Sequence, residues 1–339
     1  MNLPGFDQFA GCLIGQCLGD ALGSPVEGRP PAVCAYYVET VLRPGRFSEV
    51  CRGTVPFGQY TDDSQLAREL LVSLLHCDGW CPEDYARRVA ALFAEGTIFG
   101  YGRATLEAAM RLLAGVPWQE AGAPPPTAGN GSAMRAGPVG LWYHAEPGEL
   151  VRVAAEQGRI THQDPRCCAG AAAVAGAVAL ALRPGPIQPT AFLGELAAWC
   201  HPLDAEFAGH LLSLVGWLNL PPAEAVQPIT AAGAEPDLIG GWQGISPFVV
   251  ASVLWSLYAF LRTPDDYLAT IYTAIAVGGD VDTTAAMAGA MSGARLGLSA
   301  LPQEAVQQLN DRGAWGYEEL LGLARDCHAR RCIPPEATP

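Results

Sequence analysis

The stretch GCLIGQCLGDALG, residues 11–23, has a glycine at every fourth position: Gly11, Gly15, Gly19 and Gly23. The residues between them are largely apolar, and positions four apart lie on one face of a helix. Glycine in a helix interior costs about 1 kcal/mol relative to alanine, so four glycines on one face need a compensating interaction. Close approach of a second helix supplies it. The stretch therefore predicts a tightly packed helix pair.

A second stripe of small residues near the C-terminus matches the first in length and spacing. It consists of Ala285, Gly289, Gly293 and Gly297. In a membrane protein this spacing is typical of helix dimerisation, but the polarity of the flanking residues argues otherwise. We predict that the helices carrying residues 11–23 and 285–297 cross at short distance in the core.

Amphipathic helical patterns continue through most of the chain, and alternating strand patterns are scarce. The sequence predicts one all-α domain over residues 1–332, a frayed tail at 333–339 and long loops at 24–60 and 221–246. Besides the helix that contains Leu66 and Leu75, the predicted helices span about residues 82–95, 102–115, 147–157, 166–182, 191–201, 204–218, 247–261, 265–277, 282–297 and 314–330.

The composition narrows the class of protein. Half of the 339 residues are hydrophobic and 16% are charged, which permits a large buried core. The net charge of -14, with no basic cluster beyond ARRC near the C-terminus, argues against direct binding of a polyanionic nucleic acid. The most apolar run, 167–182, is shorter than the roughly 20 residues of a membrane span. We expect a buried helix there, no membrane insertion and a soluble protein.

The chain has eleven cysteines, and its N-terminus MNLPGFDQ lacks the features of a secretion signal. Reduced thiols in the cytoplasm are the simplest interpretation. Two segments, HCDGWC (76–81) and CHARRC (327–332), contain residue types that bind zinc. Neither has the two-pair spacing of a zinc finger, so structural thiols are the preferred interpretation for both.

Two acidic clusters stand just before predicted helices. GQYTDDSQLAREL (58–70) contains Thr61, Asp62 and Asp63, and AVGGDVDTTAAMAGAM (276–291) contains Asp280, Asp282 and Thr283. Threonine and aspartate are favoured N-caps, and acids in the first turn complement the helix dipole. Capping accounts for one or two such residues per helix, but it does not require three in a row.

Clustered carboxylates repel each other, and their pKa values rise unless a cation compensates. Mg²⁺, Mn²⁺ and Ca²⁺ take oxygen ligands from aspartate and threonine. Four carboxylates and two hydroxyls suffice for a pair of ions if the two helix starts converge. Such a pair orients a water molecule and polarises a leaving oxygen. The spacing therefore indicates a divalent-metal site.

Five segments, in this order, resemble the ADP-ribosylglycohydrolases: GDALGSPVEG, GQYTDDSQLA, GNGSAMRAGPVGL, ITHQDPRCCAGAAAVAGAVAL and AVGGDVDTTAAMAGAMSGARLG. The family includes dinitrogen-reductase-activating glycohydrolase and the ADP-ribosyl-acceptor hydrolases. The resemblance implies a compact orthogonal helical bundle with a binuclear Mg²⁺ or Mn²⁺ centre. It also implies hydrolysis of the bond between C1″ of ADP-ribose and an acceptor side chain.

The same resemblance assigns roles to individual residues of this chain. The implied metal ligands are Thr61, Asp62, Asp63, Asp280, Asp282 and Thr283. The candidate catalytic residues are Asp62 and Asp63, either of which could orient the water, together with Glu27, which falls where the family often has an acid near the centre. A solvated loop charge remains the alternative for Glu27. The implied substrate-binding residues are Gly100, Tyr101, Gly102, Asn130, Gly131, Ser132, His162 and Asp280. Backbone N–H groups of the two glycine-rich turns would hold the pyrophosphate without basic side chains.

Several points stay open at the level of sequence. A general acid for the leaving group is expected in the segment 28–58, where Glu39 and Glu49 are both available. The resemblance implies an ADP-ribosylated protein or small molecule as the substrate, and GQYTDDSQLA looks closer to the activating-glycohydrolase branch, which weakly favours arginine as the acceptor. The protein is expected to be a monomer. The alternatives are a catalytically silent ADP-ribose-binding or crystallin-like structural member of the family, and a metal-free glycosidase that uses Asp63 and Asp280.

Overall fold

The computed structural model describes residues 3–49, 51–53, 55–234 and 240–332. The chain is 67% helical and has seventeen α-helices within the described residues, which confirms the all-α prediction. The predicted frayed tail at 333–339 lies outside the described residues. A two-stranded antiparallel ribbon, β1 (Cys51–Arg52) and β2 (Val55–Pro56), pairs Cys51 with Pro56.

The helices have the following bounds: α1 Phe6–Gly23, α2 Pro31–Tyr37, α3 Asp62–His76, α4 Pro82–Ala94, α5 Arg103–Leu113, α6 Trp118–Ala121, α7 Gly137–Trp142, α8 Pro147–Arg159, α9 Pro165–Ala181, α10 Pro189–Cys200, α11 Ala205–Trp217, α12 Pro222–Ala231, α13 Val249–Arg262, α14 Tyr267–Ala276, α15 Val281–Leu296, α16 Gln303–Val306 and α17 Tyr317–Cys332. A π-helix, Val38–Leu42, continues α2. The short 3₁₀ helices are Ser24–Val26, Phe47–Glu49, Asn130–Ser132 and Leu298–Ala300.

Helices α1 and α15 cross with their backbones in contact, as the glycine stripes predict. A Cβ atom added to Gly15 would lie 2.7 Å from the carbonyl oxygen of Gly289, and one added to Gly23 would lie 2.5 Å from the Cα of Asp282. The antiparallel crossing places the C-terminal end of α1 against the start of α15. The last turns of α1 therefore lie beside the second acidic cluster.

Helix α9 forms the centre of the bundle. Its residues from Cys167 to Ala181 are all buried, and it packs against α7, α8, α10 and α15. This confirms the buried helix predicted for the most apolar run. Within the described part of the chain, none of the helices combines the length and the apolar character needed to cross a bilayer.

The long loops predicted at 24–60 and 221–246 are wrong in part, because each contains a helix. Helix α2 begins at Pro31 and helix α12 begins at Pro222. Proline interrupts a helix interior but is favoured in the first turn, where its missing N–H has no partner to lose. The proline pairs are helix starts in both places rather than breaks.

Candidate active site

The start of helix α3 is capped by a residue from another helix. Thr61 is the N-cap residue, but its side chain makes no capping hydrogen bond. Asp20 of α1 accepts from the backbone N–H groups of Thr61 (3.0 Å) and Ser64 (3.2 Å). It also accepts from the hydroxyls of both residues, at 2.9 and 2.6 Å. Since Asp20 satisfies the helix start, the carboxylates of Asp62 and Asp63 are not needed as caps.

The start of helix α15 follows a glycine turn. Gly278 and Gly279 have φ values of 76° and 89°, the left-handed region that favours glycine. The next residue, Asp280, is the N-cap, yet its side chain makes no capping hydrogen bond. Its carboxylate instead accepts from the Thr283 hydroxyl (3.2 Å) and from the Asn130 amide (2.5 Å). The turn therefore directs Asp280 toward the neighbouring side chains.

The two acidic helix starts face one cavity of about 300 Å³. One carboxylate oxygen from each of Glu27, Asp280 and Asp282 lies within 4.8 Å of the others. Asp62 and Asp63 line the same cavity from the α3 side. The four aspartates are each at most 5% exposed. Helix packing thus brings together residues that are about 220 positions apart in the chain.

Most of the residues to which the family resemblance assigns a role lie at this cavity. Its lining includes Glu27, Asp62, Asp63, Gly100, Tyr101, Gly102, Asn130, Gly131, His162, Asp280, Asp282 and Thr283. Thr61 lies behind the lining, with its hydroxyl 3.2 Å from Asp63 Oδ2. Ser132 lies outside the lining, where its hydroxyl donates to the carbonyl of Cys167 at 3.0 Å. Trp242 contributes an aromatic side chain to the wall.

The two acids suggested as proton donors, Glu39 and Glu49, are not among the described residues that line the cavity. Glu39 lies on the π-helix, paired with Arg43 at 2.7 Å. Glu49 is exposed and lies 4.0 Å from Arg46. The described part of the segment 28–58 contains helix α2, a π-helix and a 3₁₀ helix, and neither side chain lies at the cavity.

Burial is the main cause of the raised pKa values of the site carboxylates. It raises the pKa of Asp20 and of Asp280 to about 6. Burial, followed by repulsion from neighbouring carboxylates, raises the pKa values of Asp62, Asp63 and Asp282 well above their usual range. Ionising this cluster in the absence of a cation is therefore costly.

The residues present fit a hard divalent cation. The ligand set consists of carboxylate and hydroxyl oxygens, which Mg²⁺ and Mn²⁺ prefer. Asp63 Oδ1 is buried and has no hydrogen-bond partner in the described part of the chain. A buried carboxylate oxygen without a donor is costly, and a bound cation would remove that cost.

Two glycine-rich turns also line the cavity, and the turn at Gly100 lies against Thr61 and Asp62. Gly100 has a φ of 90°, and a Cβ added there would lie 3.1 Å from Thr61 Cβ. A Cβ on Gly131 would lie 2.7 Å from Cε1 of His162. The turn at 129–132 forms a 3₁₀ helix, and the next α-helix begins only at Gly137. Both turns expose backbone at the cavity where a side chain would fill it.

His162 is a neutral group at this site. Burial, together with the positive charge of Arg135, lowers its pKa to about 3. Its Nδ1 lies 2.8 Å from the Thr161 hydroxyl. His162 can therefore position a ligand by hydrogen bonding, but it carries no charge at neutral pH.

Sequence reasoning missed two buried acids that support the site. Asp20 could have been noticed in the sequence, because it is the one carboxylate in the largely apolar stretch 11–23. Asp311 had no local signal: it accepts from the side chains of Gln65 and Arg68, each at 2.8 Å. Gln65 in turn accepts from the backbone N–H of Phe99 at 2.9 Å, next to the glycine turn at Gly100.

The all-α fold and the cavity between two acidic helix starts define the class of protein. Comparison with known proteins identifies the family. The model of the ADP-ribosylglycohydrolase family matches residues 1–335. The chain belongs to this family. It is accordingly a hydrolase of glycosyl bonds with ADP-ribosyl hydrolase activity on ADP-ribosylated substrates.

Individual relatives match along almost their entire length. An uncharacterised protein of Archaeoglobus fulgidus is 30% identical over 332 residues, covering 96% of this chain and 98% of the relative. Human ADP-ribosylhydrolase ARH3 is 29% identical over 353 residues, covering 95% and 93%. A solved structure described as an ADP-ribosylglycohydrolase-related protein complex has a TM-score of 0.66 and 28% identity, covering 96% and 98%.

Proposed function

We propose that this protein is a divalent-metal-dependent hydrolase that cleaves the N- or O-glycosidic bond between ADP-ribose and an acceptor side chain. The observation that carries the proposal is the convergence of buried Asp62, Asp63, Asp280 and Asp282 on one cavity. The unpartnered Oδ1 of Asp63 supports it. Carboxylates buried this close together destabilise the fold unless cations bind between them. Such clusters are typical of the functional sites of enzymes.

Two Mg²⁺ or Mn²⁺ ions are the proposed cofactors. Their ligands would be Thr61, Asp62, Asp63, Asp280, Asp282 and Thr283. When bound, the ions supply Lewis acidity toward hydroxyl and water oxygens. The Asp20 carboxylate keeps Thr61 and the start of α3 in place for this role. Asn130 fixes Asp280 by its 2.5 Å hydrogen bond.

The side chains around the cavity carry out the remaining steps of the proposed hydrolysis. Asp62 or Asp63 orients the attacking water beside C1″ and accepts its proton. The surrounding carboxylates stabilise the positive charge of an oxocarbenium-like transition state. Glu27 is half-buried beside Asp280 and Asp282, and we assign to it the proton delivered to the leaving group. The glycine turns around Gly100 and Gly131 present backbone N–H groups to the pyrophosphate.

The acceptor decides which biological substrate the enzyme uses. The sequence resemblance of GQYTDDSQLA favours arginine, and a panel of substrates tests it directly. Release of ADP-ribose is measured from arginine-, serine- and nucleotide-linked substrates with Mg²⁺ present. Asp282→Asn is expected to lose release from the preferred linkage. Glu39→Gln, a carboxylate change outside the cavity, should keep it.

Each other outcome of the panel contradicts a defined part of the proposal. Tight ADP-ribose binding with no release from any linkage would indicate a catalytically silent family member. Full activity in excess EDTA would indicate a metal-free acid pair. Preference for serine or nucleotide linkages would overturn the arginine assignment alone.

A further inference from the structure

The turn between helices α3 and α4 brings together a second set of metal-ligating residue types, far from the acidic cavity. The set comprises His76 at the end of α3, Cys77 after it, Cys81 before α4, and Asp84 in the first turn of α4. Helix α3 has 15 residues, so this turn lies roughly 20 Å from Asp62. The catalytic proposal makes no use of these side chains.

Three members of the set, His76, Cys77 and Asp84, have ligand atoms spaced as zinc coordination requires. His76 Nδ1 lies 3.7 Å from Cys77 Sγ and 3.4 Å from Asp84 Oδ1. Tetrahedral zinc bonds of about 2.3 Å to sulfur and about 2.0–2.2 Å to nitrogen and oxygen place neighbouring ligand atoms about 3.4–3.6 Å apart. Ligand atoms of His76, Cys77 and Asp84 all lie within 4.8 Å of one another.

Cys81 is the candidate for the fourth position. Its Sγ is not among the three ligand atoms that lie within 4.8 Å of one another, so its side chain would turn toward the ion on binding. The spacing Cys77-x₃-Cys81 falls within the range found between paired cysteine ligands. Glu83 is the present partner of the Cys81 thiol, at 3.7 Å. We propose that His76, Cys77, Cys81 and Asp84 form a structural zinc site that joins the end of α3 to the start of α4.

The charges around the set balance such a site. Two thiolates and one carboxylate around Zn²⁺ leave a net charge of about -1. Arg87 and Arg88 both donate to Asp84, the latter at 2.7 Å to Oδ2. Hydrogen bonds of this kind hold ligating carboxylates in orientation.

The turn itself suits a closed, structural role. Asp78 and Gly79 have φ values of 54° and 143°, which reverse the chain between the two cysteines. His76 is 64% exposed, so the ion has an entry path. Since the four side chains fill a tetrahedral shell, no open position remains for substrate. Zinc here is expected to stabilise the helix pair and to leave the rate of ADP-ribose release unchanged.

Cobalt(II) substitution in the reduced full-length chain tests the site. Metal is first stripped with a chelator, and excess Mg²⁺ is then added to occupy the acidic cavity. We expect one equivalent of Co²⁺ to bind with intense visible bands and a thiolate-to-cobalt charge-transfer band. Zn²⁺ should displace the Co²⁺ and raise the melting temperature.

Matched variants separate this site from other thiols. Cys77→Ser and Cys81→Ser should each weaken the charge-transfer band and the double variant should lose it, whereas Cys51→Ser, at an exposed cysteine elsewhere, should keep it at full intensity. His76→Gln changes an exposed side chain, which the fold should tolerate, and should weaken Co²⁺ binding at least about tenfold. The proposal is overturned if the wild-type protein shows no charge-transfer band, or if the double variant Cys77→Ser/Cys81→Ser retains it. Unchanged Co²⁺ affinity in His76→Gln would remove that residue from the ligand set.

Discussion

Asp20 and Asp63 are both buried carboxylates, but their hydrogen bonding differs completely. Asp20 accepts four hydrogen bonds from Thr61 and Ser64. Asp63 Oδ2 lies 3.2 Å from the Thr61 hydroxyl, whose single proton the nearer Asp20 carboxylate also accepts, and Asp63 Oδ1 has no partner in the described structure. A carboxylate whose oxygens accept hydrogen bonds stabilises the helix start. A buried carboxylate with an unpaired oxygen destabilises the fold, and a bound cation would remove that penalty. This contrast separates the supporting residue Asp20 from the proposed metal ligand Asp63.

The raised pKa values predict how the stability of the metal-free protein depends on pH. A carboxylate whose pKa is raised on folding stabilises the protein below its unfolded value and loses that contribution as pH rises through the folded value. For Asp20 and Asp280 the window runs from 3.8 to about 6. In EDTA the melting temperature should therefore fall across this window as pH increases.

Two comparisons check this dependence. Added Mg²⁺ should restore the melting temperature above about pH 6 and have little effect at about pH 4, because protons compete with the metal for its ligands. Asp282→Asn should show a shallower fall in EDTA. A melting temperature in EDTA that rises steadily from about pH 4 to about pH 7 would contradict the assigned pKa directions.

His162 should contribute to binding without shaping the pH–rate profile. Its pKa of about 3 keeps it neutral throughout the working range. His162→Gln is expected to lower the rate of ADP-ribose release while leaving the profile from about pH 5 to about pH 8 unchanged in shape. Loss of one limb of the profile in this variant would show that the imidazole titrates during catalysis.

Helix α1 and helix α15 show which elements can be predicted from sequence. Their glycine stripes recur at helical spacing, and close approach is the physical reason for that spacing, so the crossing was predictable. The acidic clusters were predictable as helix starts for the same reason: they stand next to strongly periodic segments. The spacing of the glycines and the clustering of the acidic residues can both be recognised within a short window of sequence.

A paired glycine substitution tests the crossing. Gly15→Ala places a Cβ 2.7 Å from the carbonyl oxygen of Gly289, so the helices must separate and the protein should lose roughly 1–3 kcal/mol of stability. Gly209→Ala, on α11 with no atom within 4 Å of the added Cβ, should instead gain about 1 kcal/mol. Urea denaturation measures both variants. Equal effects in the two variants would contradict the close packing.

Other elements were not predictable from short windows. Helices α2 and α12 begin at proline pairs, and the same dipeptide marks either a break or a first turn, depending on whether the residues after it continue a helix. The role of Asp311 depends on contacts with Gln65 and Arg68, which lie more than 240 positions away. Contacts at that separation arise from tertiary packing, for which a single sequence carries no local signal.

At the scale of the whole molecule, the C-terminal part of the chain supports the site at the start of α3. Asp311 forms a buried ion pair with Arg68 at 2.8 Å, with side chains 8% and 3% exposed. It also accepts from Gln65, which holds the backbone of Phe99 beside the glycine turn. We propose that residues 1–332 act as one domain, because these contacts join the end of the chain to the catalytic cavity.

Asp311→Asn tests this coupling. The change weakens one of the two carboxylate contacts of buried Arg68 and leaves its 3.1 Å pair with Glu69 in place, so we expect a loss of roughly 1–3 kcal/mol in urea denaturation and a reduced rate of ADP-ribose release. Asp78→Asn breaks an exposed pair with Arg330 and should cost less than about 1 kcal/mol. Unfolding followed by far-ultraviolet dichroism and by tryptophan fluorescence should give a single coincident transition. Separate transitions would contradict a one-domain chain.

In the proposed function, two acidic helix starts together hold the divalent cations needed for hydrolysis. The rate of ADP-ribose release by metal-stripped protein, measured as Mn²⁺ is added back, tests this directly. We predict no release in EDTA, recovery on adding Mn²⁺, and a requirement for at least about 100-fold more Mn²⁺ in Asp282→Asn. An undiminished rate in excess EDTA, or a wild-type Mn²⁺ requirement in Asp282→Asn, would contradict it.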